Sequence, residues 1–326
     1  MRHYIGINLD ESYMRAGIVD ETGNLVCKES IRTGADRKAN EIVRDLAYLA
    51  QNVIKVSRIS LDEVDAIGIG FPGIANNITG TAIHSKSLPL HNINIRNDIR
   101  RIIPLPVYIE NNVNCKAFAE SLFGAAKGLN HSITMTIGED IEGGVIINRR
   151  IYGGINHTSA DVGHFIIEKD GEPCSCGRNG CFSAYASETA FLREIVKTAK
   201  KRPGSLLNGR IGQTGRKVDI RTLFDAVRDG DEAAKSVADR YIHELSLGLV
   251  NIISLLMPEA IVLDGEICKE GEFLLTLIRE EIEKIKPYPA GIKKTKVVIA
   301  ETCEGNGIIG PAMMAMLSRM DGVKGD

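Results

Sequence analysis

The chain lacks a surplus of either charge: 40 Lys and Arg stand against 42 Asp and Glu, a formal net charge of −2. Without a basic excess to neutralise phosphates, nucleic acid is not an expected partner, and no strongly charged tail is present. Long apolar runs are also missing. The stretch at residues 252–257 is one of the longest and falls far short of the ~20 residues that cross a bilayer. The N-terminal MRHYIGINLD has no charged segment followed by an extended apolar one, so a secretory signal is not expected. A strand that begins at residue 4 leaves no room for a helix-turn-helix head of roughly 60 residues. Short-period repeats and low-complexity segments are absent. Together these absences predict a cytoplasmic protein whose partners include neither membrane nor nucleic acid.

What is present is enough for two lobes. A length of 326 residues suits two units of about 150 residues each, and a hydrophobic content of 44% supplies sizeable cores. Apolar runs at 4–9 and 14–19, with a turn at 21–24 before Leu25, Val26 and Cys27, predict a meander of strands. Apolar positions at helical spacing (Ile42, Val43, Leu46, Leu49, Val53) predict a helix over 39–57. A strand at 66–73 ends in Pro-Gly, 93–101 reads as helical, and the strand 107–112 leads into a helix at 113–126. The second half opens with strands at 132–138 and 143–148. Helices at 187–201, 219–228 and 231–256 follow, then strands at 260–267 and 296–301 and a last helix at 305–317. Each half thus begins strand-turn-strand and continues as alternating strands and helices. This predicts an α/β fold of two related lobes, with ligands at strand ends facing a cleft.

Seven cysteines are an odd number for a disulfide framework, and a cytosolic setting favours metal binding. Cys27, Cys115, Cys268 and Cys303 are scattered and read as small buried hydrophobes. Cys174, Cys176 and Cys181 fall within eight residues, and His164 lies upstream in GHFIIEKDGEPCSCGRNGC. Three thiolates and an imidazole make a closed tetrahedral set, the donor pattern of structural zinc, with no position left for a reacting water. Gly177 and Gly180 sit where the loop must double back, and positive φ is expected at both.

The GH pair followed by CxCGxxGC resembles the signature of the ROK family (repressors, open reading frames, kinases), and the likeness runs over nearly the whole chain. It implies a two-lobed actin-like ATPase fold of the sugar-kinase and hexokinase type with a zinc-binding loop. The lobes would be residues 1–115, joined by a C-terminal helix 308–320, and residues 116–307. It also implies ATP and a hexose or N-acetylhexosamine in the cleft, and a homodimer or homotetramer.

At the reacting positions the sequence departs from that family. The phosphate loop resembling GIDLGGTK reads GINLDESY: Asn8 replaces an Asp that helps hold magnesium, and Asp10 and Glu11 replace glycines. Such glycines let backbone N–H groups approach phosphate closely. The loop resembling TLGTGIGGG reads TIGEDIEGG, so Gly138 is kept while Glu139, Asp140 and Glu142 are acids. Asp264 and Glu266 replace glycines of IVLGGG. Two like charges ~4 Å apart at an effective dielectric of about 20 repel by about 4 kcal/mol. Useful ATP affinity amounts to only about 4–8 kcal/mol. The seven acids therefore speak against ATP and Mg2+ as working cofactors.

The catalytic Asp of a motif resembling ENDAN is Asn112, which cannot take a proton near neutral pH, a loss of about 10²- to 10⁴-fold. On the sugar side the resemblance implies Gly73, Asn111, Asn112, Asp161, His164 and Ser183. Asp161 and Ser183 stand for Glu, Asn76 for Asp and Ser87 for Asn. The reading that follows is a catalytically impaired sugar-kinase-like protein that binds a sugar-like ligand or partner. The alternative is an active ATP-dependent hexose or N-acetylhexosamine kinase with relocated catalytic groups. A cation held by Asp10, Glu11, Glu139 and Asp140 is a further possibility.

Overall fold

Short, mostly buried apolar strands build the first sheet. The computed structural model describes residues 1–155, 160–213, 219–285, 288, 291–301, 306–323 and 325, with backbone alone for 210–213 and 306. Strands β1 (His3–Leu9), β2 (Tyr13–Asp20) and β3 (Leu25–Arg32) form the expected antiparallel meander, and helix α1 (Ala39–Ser57) follows. After β4 (Val64–Phe71) come three short strands, β5 (Ile74–Asn76), β6 (Thr81–His84) and β7 (Ile93–Asn94), then α2 (Ile95–Arg100), β8 (Val107–Asn111) and α3 (Asn112–Phe123). The chain continues through β9 (Ser132–Ile137), β10 (Ile141–Ile147) and β11 (Arg150–Ile151). Helices α4 (Ser183–Ala186), α5 (Glu188–Lys201), α6 (Leu206–Gln213), α7 (Ile220–Arg228) and α8 (Glu232–Leu256) precede β12 (Ala260–Gly265). Helix α9 (Glu272–Ile285), β13 (Lys296–Ile299) and α10 (Asn306–Met320) complete the order.

The first sheet runs β3-β2-β1-β4-β8, with β4 parallel to both β1 and β8. The second runs β11-β10-β9-β12-β13 and repeats the same scheme: a meander of three, then strands reached by helical crossovers. This is the relatedness that the paired strand-turn-strand openings predicted. By internal packing the chain divides into residues 1–134, 144–160 and 300–326, and residues 135–143 and 161–299.

In the first unit the sheet is covered on both faces. Ile5, Ile7, Leu9, Ile67, Ile69 and Phe71 pack with the apolar side of α1 (Ile42, Leu46, Leu49, Val53). The alternate residues Tyr4 and Ala66 face α10 and α3 with Phe118, Met313 and Ala315. Here small residues are obligatory. A Cβ on Gly6 would lie 1.8 Å from the Ile308 carbonyl oxygen, and one on Gly68 1.8 Å from that of Pro311. Both glycines let α10 lie directly on the sheet.

Several local expectations needed revision. Residues 93–101 divide into β7 and α2, because the Asn94 side chain accepts from the Asn97 N–H and caps the helix there. Helices α6 and α9 were not anticipated. Helix α9 buries Leu274, Leu275, Ile278 and Ile282 at helical spacing. Cys115 and Cys268 are buried and Cys27 half-buried, whereas Cys303 and the proposed helix start at Gly305 lie outside the described residues. No helix among the described residues is long and apolar enough to cross a membrane.

Candidate functional site

In the second unit, the segment between the 3-10 turn Val162–His164 and α4 folds back on itself. Antiparallel bridges join Ile166 to Cys181 and Pro173 to Asn179. Gly177 (φ 85°) and Gly180 (φ 77°) adopt the expected left-handed conformations, and a Cβ at Gly180 would lie 1.7 Å from the Glu168 carbonyl oxygen. The fold-back gathers His164, Cys174, Cys176 and Cys181, whose donor atoms all lie within 4.8 Å of one another. Cys174 Sγ is 3.4 Å from His164 Nδ1, and Cys176 Sγ is 3.5 Å from Cys181 Sγ. Bonds of about 2.3 Å to sulfur and 2.0–2.1 Å to nitrogen put tetrahedral donors about 3.5–3.8 Å apart, so the four fit a zinc ion. The Arg178 side chain, then its backbone N–H, draws the exposed Cys176 thiol down to about 6, and burial pushes Cys181 up to about 12. Among the described residues this is the only group of His, Cys, Asp and Glu so arranged; Asp10, Glu11, Glu139 and Asp140 form no such group.

The loop resembling a phosphate loop lies in the same unit. The Gly138 N–H donates to the Asp140 carbonyl (3.0 Å), and the Glu188 N–H to that of Gly138 (2.8 Å). Asp140 Oδ2 accepts from Ser175 Oγ (2.9 Å) and lies 3.6 Å from His164 Nε2; Asp161 Oδ1 is 3.8 Å from the same nitrogen but far more exposed. Ser183 is buried and its Oγ accepts from the Ile141 N–H at 2.8 Å. Asp264 Oδ1 accepts from the Gly265 N–H (2.8 Å), and exposed Glu266 pairs with Lys269 (2.7 Å). Glu139 and Glu142 are exposed. Sequence reasoning missed Glu188, at the start of α5. Burial, then the like charges of Glu266 and Glu139, push its carboxyl above the usual range.

The first unit holds the remaining residues. Asp10 closes the β1–β2 loop: its Oδ1 accepts from the N–H groups of Ser12 (2.9 Å) and Tyr13 (2.7 Å), and its Oδ2 from Arg15 (2.5 Å) and, at 3.5 Å, from Asn8. Glu11 is exposed. Two backbone donors of this loop, the N–H groups of Ser12 and Tyr13, are thus occupied by a carboxylate of the chain itself. Asn111 caps α3, its Oδ1 accepting from Val113 (2.7 Å) and Asn114 (3.3 Å), and its Nδ2 donates to the Gly73 carbonyl (3.0 Å). Asn112 Nδ2 donates to the Leu9 carbonyl (2.9 Å), while its Oδ1 is buried without a hydrogen-bond partner among the described residues. Asn76 Oδ1 accepts from Ile78 and Thr79 (3.0 Å each) and closes the β5–β6 turn, and Ser87 Oγ lies 3.5 Å from Ser85 Oγ. Glu110, also missed, is buried and accepts from the Asn111 N–H (2.8 Å) and Asn114 Nδ2 (2.9 Å), fixing the strand-to-helix junction. The structure therefore groups Gly73, Asn111 and Asn112 with Asn8 and Asp10 in one unit. It groups Asp161, His164 and Ser183 with Gly138 and Asp140 in the other.

The profile of the ROK family matches residues 4–317. A glucokinase of Thermotoga maritima is 30% identical over 311 residues, covering 94% of this chain and 95% of that protein. A xylose repressor of Bacillus spizizenii is 27% identical over 87% of this chain and 69% of its own. Among solved structures, a ROK family glucokinase from Streptomyces griseus in complex with glucose and AMPPNP superimposes with a TM-score of 0.78 at 26% identity. The match covers 97% of this chain and 99% of that one.

Proposed function

The chain belongs to the ROK family, and from that premise we propose that it binds a sugar-like ligand on the sugar-kinase fold without efficient phosphoryl transfer. One observation carries the reading. Asn112, at the position of the family's proton acceptor, has no carboxylate and donates its amide to the Leu9 carbonyl. Two others support it. The Asp10 carboxylate, in the position of a glycine of the family's phosphate loop, holds the neighbouring amides of Ser12 and Tyr13. In the second unit, Glu139, Glu188 and Glu266 are near enough for Glu188 to feel both others, a poor setting for a triphosphate. The likeness to a repressor as well as to glucokinases fits a member that recognises sugar without catalysis.

The same reading assigns zinc to His164, Cys174, Cys176 and Cys181. With four protein donors its role is to hold the fold-back together. In the first unit, sugar recognition falls to Gly73, Asn111 and Asn112. Calorimetry with glucose, N-acetylglucosamine, N-acetylmannosamine and xylose tests it. At least one sugar is expected to bind, and MgATP to give no heat with or without that sugar. Sub-millimolar MgATP binding would overturn the reading in favour of a working kinase.

A further inference from the structure

Two of the acidic-loop and sugar-side departures meet at the Cys/His centre. His164 turns Nδ1 toward Cys174 Sγ, so the remaining nitrogen, Nε2, bears the proton once Nδ1 is a metal ligand. A ligating histidine is ordinarily oriented by a carboxylate on its other nitrogen. Here two carboxylates are near: Asp140 Oδ2 at 3.6 Å and Asp161 Oδ1 at 3.8 Å, with side-chain exposures of 30% and 70%. Asp140 is the better shielded, and the same oxygen accepts from Ser175 Oγ at 2.9 Å. Ser175 lies between two of the cysteines. One carboxylate oxygen therefore faces both the histidine and the cysteine turn.

The loop that carries Asp140 is also held from the far side of the Cys motif. The Ile141 N–H donates to Ser183 Oγ at 2.8 Å, two residues beyond Cys181. Gly163 permits this approach, since a Cβ there would lie 2.1 Å from the Ile141 carbonyl oxygen and 2.5 Å from Ser183 Oγ. Asp140 stands where the family resemblance implies Gly, and Ser183 where it implies Glu. Both departures form bonds between the same loop and the same fold-back.

We propose that Asp140 is a positioning residue of the metal centre and that Asp140 and Ser183 together latch residues 138–141 to the cysteine fold-back, so that metal loading fixes this loop. Asp140 sets a carboxylate oxygen 3.6 Å from His164 Nε2, an electrostatic partner for that N–H, and holds the turn through Ser175. Ser183 holds the loop backbone. The inference rests on the zinc assignment and is independent of whether the chain phosphorylates sugars.

The test uses the full chain. Zinc affinity is measured by competition with a chromophoric chelator for wild type, Asp140→Ala, Asp140→Asn and Ser175→Ala. Hydrogen exchange of a peptide spanning 136–143 is followed with and without zinc. Asp140→Ala is expected to bind zinc about 10- to 100-fold more weakly, and Asp140→Asn, which keeps an acceptor oxygen, to lose less. Wild-type exchange over 138–141 is expected to slow on zinc addition, and in Ser175→Ala to slow less. Zinc affinity of Asp140→Ala within twofold of wild type, or zinc-independent exchange of the wild-type loop, overturns the proposal. If Asp140→Ala does not fold, the affinity of Asp140→Asn decides: equality with wild type overturns it. A wild-type chain that takes up no zinc overturns the zinc assignment as well, which separates the two failures.

Discussion

Asp10 and Asp20 lie at opposite ends of β2, and each spends its carboxylate on the backbone. Burial alone would raise Asp20. The hydrogen bonds it accepts from Thr22 and Asn24 outweigh burial and bring it from 3.8 to about 2. A carboxyl lowered on folding stabilises the native state above its unfolded value, and the contribution is lost as pH falls from near 4 toward 2. Wild type is therefore expected to lose about 1 kcal/mol over that window through this group, after solvent screening. Asp20→Asn should flatten that part of the pH–stability curve, as measured by urea unfolding; an unchanged acid limb would contradict the assignment. Asn112 makes a sharper case. Aspartate there would set a carboxylate against the Leu9 carbonyl and lose the bond that Asn112 now donates. Asn112→Asp is predicted to lower stability by about 1–3 kcal/mol with no gain in ADP release. A gain near 100-fold would mean that the nucleotide site is intact.

At the scale of elements, the cysteine fold-back was the most legible feature. Metal ligands constrain residue type and spacing together, and Gly177 and Gly180 announce the positive φ values it needs. Gly180→Ala is expected to break it, through backbone strain of about 1–3 kcal/mol and the clash with the Glu168 carbonyl oxygen. Loss of stoichiometric zinc, measured by chelator release, would report the break; full retention would contradict the geometry. The acidic loops were legible only by residue type. Nothing in the spacing of Asp140 and Ser175, 35 positions apart, announces that they meet, nor that Asp10 turns onto its own loop and Arg15. The expectation of seven acids bordering a triphosphate therefore reads differently in the structure. Asp10, Asp140 and Glu266 already have partners within the chain, and the Glu188 carboxyl joins the set. Helix α6 was hidden by its short length and Gly209, whereas the meanders and α1 followed directly from periodicity.

At the scale of the whole molecule, two sheets of the same strand order carry the kinase layout, and the ROK profile spans it nearly end to end. Fold and chemistry come apart because they depend on different residues. Buried apolar strand positions sustain both sheets and the glycines under α10 the first, and none of these is altered by placing Asn at position 112 or acids in the loops. Family membership was therefore readable from the Cys motif and strand pattern, while the ligand was not, since the residues that would contact hydroxyls have changed. The most direct measurement is a coupled ADP-release assay of the zinc-loaded protein with MgATP across glucose, N-acetylglucosamine, N-acetylmannosamine and xylose. The account predicts a rate indistinguishable from the no-sugar background for every sugar, including any that calorimetry shows to bind. Turnover of one of them at about 1 s⁻¹ or faster, the ordinary range for enzymes, would contradict it.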